Sequence, residues 1–426
     1  MWRKWTALGL LAALLLAGCG GGTPPPPGSI TLTVVDAQNV GYAAAYQLGS
    51  GAWTTLTTSP GTNTYTINLS GNTTYGVAVR CAPFPPGTTP EVHVIQATPS
   101  ELANPKVTCS PPNPSTVSYT LNVDVSGLSS AAGGDWVAVT GKGFSMGNTV
   151  GNPPGTVVVS LNAPQGTQDL LVTVYSPGNP LNYKAAKVVR NVNVTSGGSS
   201  TVNLGNADAL SPQGVTVTSP PGFGVVSAGV AYLSKDQKGS GQVGSASGAN
   251  ANSFTYRPVS GFLSGDRYVA FAVALDATPT QVLERYKGFT SGPVTLSFPN
   301  SWSPGSLTTS GTVHPTISGL SYGGGTNLRS YKINLENASL VYDATVSKGW
   351  LGSTTSYAIP DLASQLSYTP YNSGETVSIS VCAVLSPNPV LDLDQNDLAS
   401  LTATTDISLV CALGSYVVGG GSVVLP

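Results

Sequence analysis

A serine in a short glycine-flanked motif is the first candidate for chemistry. Gly143-Phe-Ser145-Met-Gly147 matches the Gly-x-Ser-x-Gly pattern, in which a strained turn exposes a nucleophilic serine at the start of a helix. Its general base would have to be His93 or His314, because the chain has 2 histidines. Two consecutive prolines follow the motif within ten residues and oppose a helix. We therefore expect Ser145 to be non-catalytic.

A short acidic run offers the oxygen ligands that calcium prefers. Asp392, Asp394 and Asn396 match positions 1, 3 and 5 of a calcium loop, which also needs Gly at position 6 and Glu at position 12. Asp397 and Ala403 stand at those two positions, so a weak calcium site and a solvated loop both remain open. Neither histidine has a companion ligand at a useful spacing. We predict no cofactor and no dedicated metal site.

Four cysteines beyond Cys19 could form disulfides, which persist in exported proteins. Cys81 and Cys109 are 28 residues apart, and Cys382 and Cys411 are 29 apart. Four cysteines allow three connectivities, and the repeated spacing favours Cys81–Cys109 and Cys382–Cys411. Cys81 shares the alternation phase of nearby core valines, whereas Cys382 is one residue out of phase, so the bridges need not be structurally equivalent. Free buried thiols are the alternative.

Aromatic side chains could provide a carbohydrate-binding surface. The chain after Cys19 contains four tryptophans: Trp53, Trp136, Trp302 and Trp350. Exposed rings can stack on sugars, but a core position is the commoner role of tryptophan in a β-sandwich. Trp53 follows a glycine-rich hairpin turn, so we expect it to be the most exposed of the four.

Composition excludes several classes of function. The 426 residues include 17 basic and 19 acidic residues, a net charge of −2. Nucleic-acid binding and polybasic membrane attachment both require a basic surface, so we expect no nucleic-acid partner. Charged residues are only 8%, against about 25% in an average globular protein. Hydrophobic residues reach 40%, which is enough to build a core.

The elements that must position these residues are β-strands. Short alternating runs rich in Val, Thr and Tyr are bounded by Gly, Pro, Asn and Ser, without sustained helical periodicity. A turn followed by an alternating strand recurs at Gly71, Gly166, Gly265 and Gly374. The intervals of about 100 residues match the size of an immunoglobulin-type sandwich. We predict an all-β chain of tandem antiparallel β-sandwich modules.

Proline-rich joints suggest where the modules begin and end. The predicted divisions are a signal peptide at 1–18, a Gly/Pro linker at 19–28, and modules 1 to 4 at 29–112, 115–211, 213–309 and 311–426. A sandwich can bury its core within about 100 residues. We therefore expect neighbouring modules to share little interface and to form a semi-rigid rod.

Three modules place a large apolar residue six positions before the repeated strand. The pairs are Leu69/Tyr75, Phe262/Tyr268 and Tyr371/Val377. This spacing resembles the E–F corner of fibronectin type III and related immunoglobulin-like domains, and the strand is also similar to one in transthyretin-like modules. The resemblance implies that the hydroxyls of Tyr75 and Tyr268 bond to the backbone. Leu170 and Val377 depart from the pattern.

The first residues form an export and anchoring signal. Arg3 and Lys4 precede an apolar run from Trp5 to Leu16, which is shorter than the ~20 residues of a membrane-spanning helix. Leu16-Ala17-Gly18-Cys19 resembles the lipobox of bacterial lipoproteins. The resemblance implies cleavage before Cys19 and lipidation of that residue, and two or three acyl chains anchor stably. Gly20, where aspartate would signal inner-membrane retention, implies the outer membrane.

The sequence contains no evident set of nucleophile, base and carboxylate. We therefore predict a non-enzymatic, lipid-anchored cell-envelope protein that acts as a spacer, adhesin or scaffold. Its expected partners are the membrane, through the lipid, and envelope glycans or proteins. The alternative is an array of glycan-binding modules that use exposed aromatics, and an envelope hydrolase is a distant third.

Overall fold

The computed structural model describes residues 28–323, 325–393 and 397–426, and these residues are mostly in β-strands. Alternating apolar residues place one face of each strand in a core, as in β1 (Ser29–Asp36), where Ile30, Leu32 and Val34 are fully buried. Within the described ranges, α-helix is limited to two single turns, α1 (Lys348–Leu351) and α2 (Ala363–Leu366). The predicted all-β class is confirmed.

Module 1 is a sandwich of two sheets. Its further strands are β2 (Tyr42–Leu48), β3 (Thr54–Thr55), β4 (Asn63–Asn68), β5 (Tyr75–Cys81), β6 (Glu91–Ala97) and β7 (Lys106–Ser110). One sheet has the order β4-β1-β7, and the strands of the other follow the order β6-β5-β2-β3. The first strand, β1, lies antiparallel to β4 and parallel to β7.

Modules 2 and 3 repeat this seven-strand topology. Module 2 contains β8 (Thr116–Gly127), β9 (Trp136–Gly141), β10 (Phe144–Thr149), β11 (Thr156–Pro164), β12 (Gly166–Ser176), β13 (Asn182–Val194) and β14 (Gly198–Gly205). Module 3 contains β15 (Gln213–Thr218), β16 (Phe223–Leu233), β17 (Ser240–Ser247), β18 (Ser253–Tyr256), β19 (Arg267–Asp276), β20 (Gln281–Phe289) and β21 (Val294–Ser297). The two sheets of module 2 have the orders β11-β8-β14 and β10-β9-β12-β13, and those of module 3 have the orders β18-β15-β21 and β17-β16-β19-β20. Both modules therefore match module 1 strand for strand.

Module 4 carries one strand more. It contains β22 (Leu307–Thr309), β23 (Thr316–Ser318), β24 (Leu328–Glu336), β25 (Val341–Ser347), β26 (Ser356–Ala358), β27 (Thr376–Leu385), β28 (Asp406–Val417) and β29 (Val423–Leu425). The predicted boundary at 309 assigns β22 to module 3, but β22 pairs with β23 and β29 in the order β26-β23-β22-β29. Proline-rich segments punctuate hairpins as well as domain joints, which explains this misplaced boundary. The other boundaries remain predictions.

The four-stranded sheets of modules 3, 4 and 1 join edge to edge into one sheet of twelve strands. Strand β20 of module 3 pairs antiparallel with β28, and β25 of module 4 pairs parallel with β6 of module 1. The expectation that neighbouring modules share little interface is therefore wrong. The physical reason is that an isolated sandwich leaves the N–H and C=O groups of its edge strands unpaired, and the neighbouring module pairs them here.

Module 1 faces the opposite side of the shared sheet from modules 3 and 4. Val77 and Val79 of β5 point into the core of module 1 itself. Ala78 of β5, with Val92 and Val94 of β6, instead joins the large core that modules 3 and 4 share. Because successive side chains of a strand point to opposite faces, module 1 contributes to two cores at once.

Module 2 is not part of the twelve-stranded sheet and contacts module 3 through a buried charged cluster. The Arg190 guanidinium pairs with Asp169 of module 2 and with Asp266 of module 3. The Tyr232 hydroxyl donates to Asp266 at 2.8 Å. Burial opposes ionisation of Asp266, but hydrogen bonds from the Leu263 N–H, the Tyr232 hydroxyl and neighbouring donors outweigh it and lower its pKa.

Module 2 should fold when it is isolated as the fragment 115–211, because both of its sheets and its core cluster are built from its own residues. We expect a β-type circular dichroism spectrum and a cooperative melt. The fragment 305–426, which keeps β22 with its partners β23 and β29, is the matched control. It loses the partners of both β25 and β28, so it should melt at a lower temperature or aggregate. A disordered 115–211 fragment would contradict this assignment.

Candidate functional site

Several residues singled out from the sequence lie outside the described residues. These are Cys19, the expected lipidation site, and Asp394 and Asn396 of the calcium-loop pattern. Asp392 is described and exposed. Across 28–323, 325–393 and 397–426, no group of three or more His, Cys, Asp or Glu side chains could hold a metal ion.

The cysteines form two bonds of different architecture. Cys81–Cys109 joins β5 of one sheet to β7 of the other through the core of module 1, with the Cα atoms 5.0 Å apart. Cys382 and Cys411 lie directly opposite each other on neighbouring strands β27 and β28, with the Cα atoms 3.9 Å apart. The second bond lies in a separate apolar cluster, on the face of the shared sheet that points away from the core of module 4, because Cys382 is out of phase with the core residues Ile379 and Val381.

Ser145 does not occupy the geometry of a catalytic elbow. It lies in strand β10, opposite Thr140 of β9, and the strand runs on to Thr149 without a helix. His93 lies on β6 with its Nε2 atom 3.3 Å from Glu91 and its Nδ1 atom 3.8 Å from Asp343. The Nε2 atom of His314 is 3.5 Å from Asp361. Neither histidine is hydrogen-bonded to Ser145 in the described part of the chain.

The predicted corner tyrosines bond to the main chain, as the resemblance implied. The Tyr75 hydroxyl donates to the Leu102 carbonyl oxygen at 2.6 Å, a partner downstream of the corner. The Tyr268 hydroxyl accepts from the Val259 N–H at 2.9 Å. Tyr331, which the sequence reading did not single out, accepts from the Tyr322 N–H at 3.0 Å in the same way.

The tryptophans do not form an exposed row in the described structure. Trp302 is 2% exposed, and its indole N–H donates to the Val410 carbonyl oxygen at 2.8 Å. The other three are half-buried: Trp53 packs over Gly76, Trp136 over Gly147, and Trp350 against Tyr357. Trp53 is therefore only partly exposed, because its ring fills the space that Gly76 leaves open, and its place as the most exposed of the four stays a prediction.

A polar crevice lies at the junction of modules 3 and 4, above strands β20, β27 and β28. Its volume is about 560 Å³, within the range of about 300–1,000 Å³ for small-molecule sites. We call it the module 3–4 crevice. It is lined by Arg285, Ser297, Phe298, Pro299, Asn300, Tyr322, Gly323, Asn327, Leu385, Ser386, Pro387, Asp406 and Ser408.

The floor of the module 3–4 crevice is set by the pairing of β20 with β28. Arg285 lies directly opposite Ser408 in this register. Its Nη1 atom donates to the Ile407 carbonyl oxygen at 3.0 Å and pairs with the Asp406 carboxylate. The Arg285 Nε atom is buried and has no hydrogen-bond partner among the described residues. A buried unpaired donor of this kind costs about 1–3 kcal/mol.

The walls of the crevice come from loops held by main-chain contacts. The Tyr322 hydroxyl donates to the Asn300 carbonyl oxygen, which ties module 4 to module 3. Burial raises the pKa of Tyr322 to about 12, so the phenol keeps its proton at neutral pH. On the opposite wall the Arg329 guanidinium donates to the carbonyl oxygens of Ser386 and Pro387 at 2.8 and 2.7 Å.

The chemistry of the crevice lining suits binding better than catalysis. Two aromatic rings, Phe298 and Tyr322, stand beside amide, hydroxyl and guanidinium groups. Among the described lining residues the one carboxylate is Asp406, whereas hydrolysis of a glycosidic bond requires a pair. Sequence reasoning missed this site because its residues come from two modules and form no motif. The available signal was Arg285, which stands two residues after Leu283 on the same face of β20.

No helix in the described ranges is long and apolar enough to cross a bilayer. The two disulfides indicate an exported protein, because such bonds persist in oxidising compartments.

No protein-family model matches the sequence, and no curated protein matches it. A leucine-rich repeat protein from Bacteroides thetaiotaomicron is 10% identical, with a TM-score of 0.15, over 42% of this chain and 26% of its own. This chain thus spans about a quarter of that protein. A 1.5-MDa bacterial ice-binding adhesin is 14% identical, with a TM-score of 0.13, over 64% of this chain and 92% of the other. The Bacillus anthracis TIE protein is 9% identical, with a TM-score of 0.16, over 87% of this chain and 71% of the other. These TM-scores carry no argument about fold or function.

Non-reducing digestion should yield one peptide pair joining Cys81 to Cys109 and another joining Cys382 to Cys411. Replacing Cys81 and Cys109 together by alanine should lower the free energy of unfolding by roughly 3–4 kcal/mol, the chain-entropy value for a loop of this length. Mass spectrometry and denaturant titration check the two results. A peptide linking Cys81 to either late cysteine would refute the pairing.

The two histidines should respond to pH in opposite directions. Burial lowers the pKa of His93, but the nearby Glu91 and Asp343 carboxylates outweigh it, so the pKa is raised. Its stabilising contribution is complete below about pH 6.5 and is lost as pH rises through the folded-state pKa. Thermal melts of wild type and His93→Gln should therefore differ most at pH 5.5 and least at pH 8.5.

His314→Gln is the matched control for this measurement. Burial lowers the pKa of His314 and the Asp361 charge only partly opposes it. Neutral His314 contributes to the free energy of unfolding, and this contribution is complete above about pH 6.5. It is lost as pH falls from there through the lower folded-state pKa. The difference between wild type and His314→Gln should therefore grow with pH. Equal pH profiles for the two variants would refute the assignment.

Proposed function

We propose that this protein is an exported, lipid-anchored and non-enzymatic protein of the cell envelope, and that its joined sandwiches act as a binding platform. The observation that carries the proposal is the sheet that modules 3, 4 and 1 share. A spacer gains length from each module only when modules are arranged end to end. Modules joined along strand edges give up that length and gain a broad, rigid surface, which favours the scaffold or adhesin alternatives.

The membrane anchor is the second part of the proposal. Cys19, at the end of the lipobox-like Leu16-Ala17-Gly18-Cys19, would carry the acyl chains. The glycines and prolines at 20–28 would then separate the first sandwich from the bilayer. Gly20 supports the outer membrane as the final location. Two or more acyl chains supply an anchor that does not need a membrane-spanning helix.

The absence of catalysis is also proposed. In support, Ser145 lies in a strand, and the described lining of the module 3–4 crevice offers one carboxylate without a neighbouring base. A bound ligand would therefore meet hydrogen-bond donors, acceptors and aromatic rings, and would be released without any chemical reaction.

Binding of glycans is the second candidate function, and the module 3–4 crevice favours it. Sugar-binding sites combine aromatic faces for the C–H surface of the ring with planar polar groups for its hydroxyls. Phe298 and Tyr322 offer the rings, and the side chains of Asn300, Asn327 and Arg285 offer the polar groups. The four tryptophans named above do not carry this candidate, because the described structure holds them in packed positions.

Cys19→Ser should abolish acylation and leave the chain out of the membrane fraction, because serine lacks the thiol that receives the diacylglycerol. Metabolic labelling with a fatty acid, followed by fractionation, measures both effects. Gly20→Asp is the matched control: it keeps Cys19, so label should remain while the protein shifts to the inner membrane. Label on the Cys19→Ser variant at wild-type level would refute the anchor.

A further inference from the structure

The guanidinium of Arg285 is the feature of the module 3–4 crevice that its fold does not explain. The side chain is 13% exposed and stands on the same face of β20 as the core residue Leu283. Its Nη1 edge is used by the Asp406 carboxylate and the Ile407 carbonyl oxygen. The Nε–H has no partner in the described chain. A guanidinium carries five N–H donors, and the contacts with Asp406 and Ile407 use only those of Nη1.

We propose that the module 3–4 crevice binds the carboxylate of an acidic sugar, a uronate unit of an envelope polysaccharide, through the exposed part of the Arg285 guanidinium. This inference rests on the glycan-binding candidate and names its ligand class. A carboxylate entering the crevice would meet the 13% of the Arg285 side chain that stays exposed there. The carboxylate would also meet a positive charge. Asp406 pairs with Arg285, but the guanidinium of Arg329, which donates to the carbonyl oxygens of Ser386 and Pro387, adds a second positive charge behind that wall.

The remaining lining residues favour a saccharide over a simple carboxylic acid. Asn300 and Asn327 offer amide groups, and Ser297, Ser386 and Ser408 offer hydroxyls, which match the alternating donors and acceptors of sugar hydroxyls. The rings of Phe298 and Tyr322 provide apolar surface for the C–H face of the pyranose. A free carboxylate such as acetate would use the Arg285 guanidinium but none of these neighbours.

The test uses the intact four-module chain with both disulfides, and measures binding by calorimetry. The probes are trigalacturonate, its methyl ester, which is uncharged, and acetate. Wild type should bind trigalacturonate at least tenfold more tightly than the methyl ester. Affinity should fall with added salt, because the contact between guanidinium and carboxylate is ionic.

Two substitutions in the crevice should act in opposite directions. Arg285→Gln removes the charge and should weaken trigalacturonate binding at least tenfold while it leaves the weak binding of the methyl ester unchanged. Asp406→Asn removes the competing carboxylate and should strengthen trigalacturonate binding severalfold, a gain that a misfolded variant cannot produce. Arg80→Gln is the matched control: Arg80 is half-buried on β5 of module 1 and also has an unpartnered Nε, so it should bind as wild type does.

Each other outcome overturns a defined part of the account. Equal affinity of wild type for trigalacturonate and its ester, unchanged in Arg285→Gln, would refute the carboxylate inference and leave glycan binding standing. Binding of neither saccharide would refute the glycan-binding candidate itself, and the uronate inference with it. Acetate binding as tightly as trigalacturonate would refute the assignment to a polysaccharide.

Discussion

The pairing of edge strands between modules is the interaction on which the rest of the structure depends. Strand β20 pairs with β28 and β25 pairs with β6, so three sandwiches that could each be complete share one sheet. An edge strand left in water invites pairing with other chains. In this protein the neighbouring module pairs the backbone N–H and C=O groups of the edge strand, and the same pairing fixes the relative position of modules 3, 4 and 1.

The module 3–4 crevice exists because of this pairing. Arg285 belongs to β20 and Ser408 to β28, and the register between the two strands places them opposite each other. The walls come from loops that each module supplies on its own side, and the Tyr322 hydroxyl links them to Asn300. A chain of independent modules joined only by proline-rich linkers would not hold these groups at fixed distances. The proposed binding site is therefore a property of the joined modules rather than of any one of them.

The sequence was informative about local structure and less so about how modules meet. Alternation predicted the strands, since residues such as Val77 and Val79 report directly on which face is buried. The different phase of Cys382 anticipated the different environments of the two bridges. Edge pairing between β25 and β6 could not be predicted, because the apolar residues on both faces of β6, such as Val94 and Ile95, are equally consistent with a central strand of one module.

The functional residues were hidden for a related reason. Arg285 and Asp406 are separated by 121 residues, and neither belongs to a motif that a single sequence can reveal. The one available signal was the position of Arg285 on the same face of β20 as Leu283. The strand β22 was misplaced because the prolines around it also mark domain joints elsewhere in the chain. The position of Arg285 beside Asp406 and the place of β22 in module 4 are both decided by pairing between strands that are distant in sequence, rather than by local propensity.

Hydrogen exchange of the intact four-module chain tests the shared sheet most directly. Paired amides exchange only when the structure opens, whereas the outward amides of a free edge strand exchange as fast as the solvent allows. We expect peptides covering β6, β20, β25 and β28 to be protected as strongly as those covering the central strands β5 and β27. Rapid exchange along alternate amides of β6 and β20, with β5 and β27 still protected, would show separate modules with free edges and would contradict this expectation.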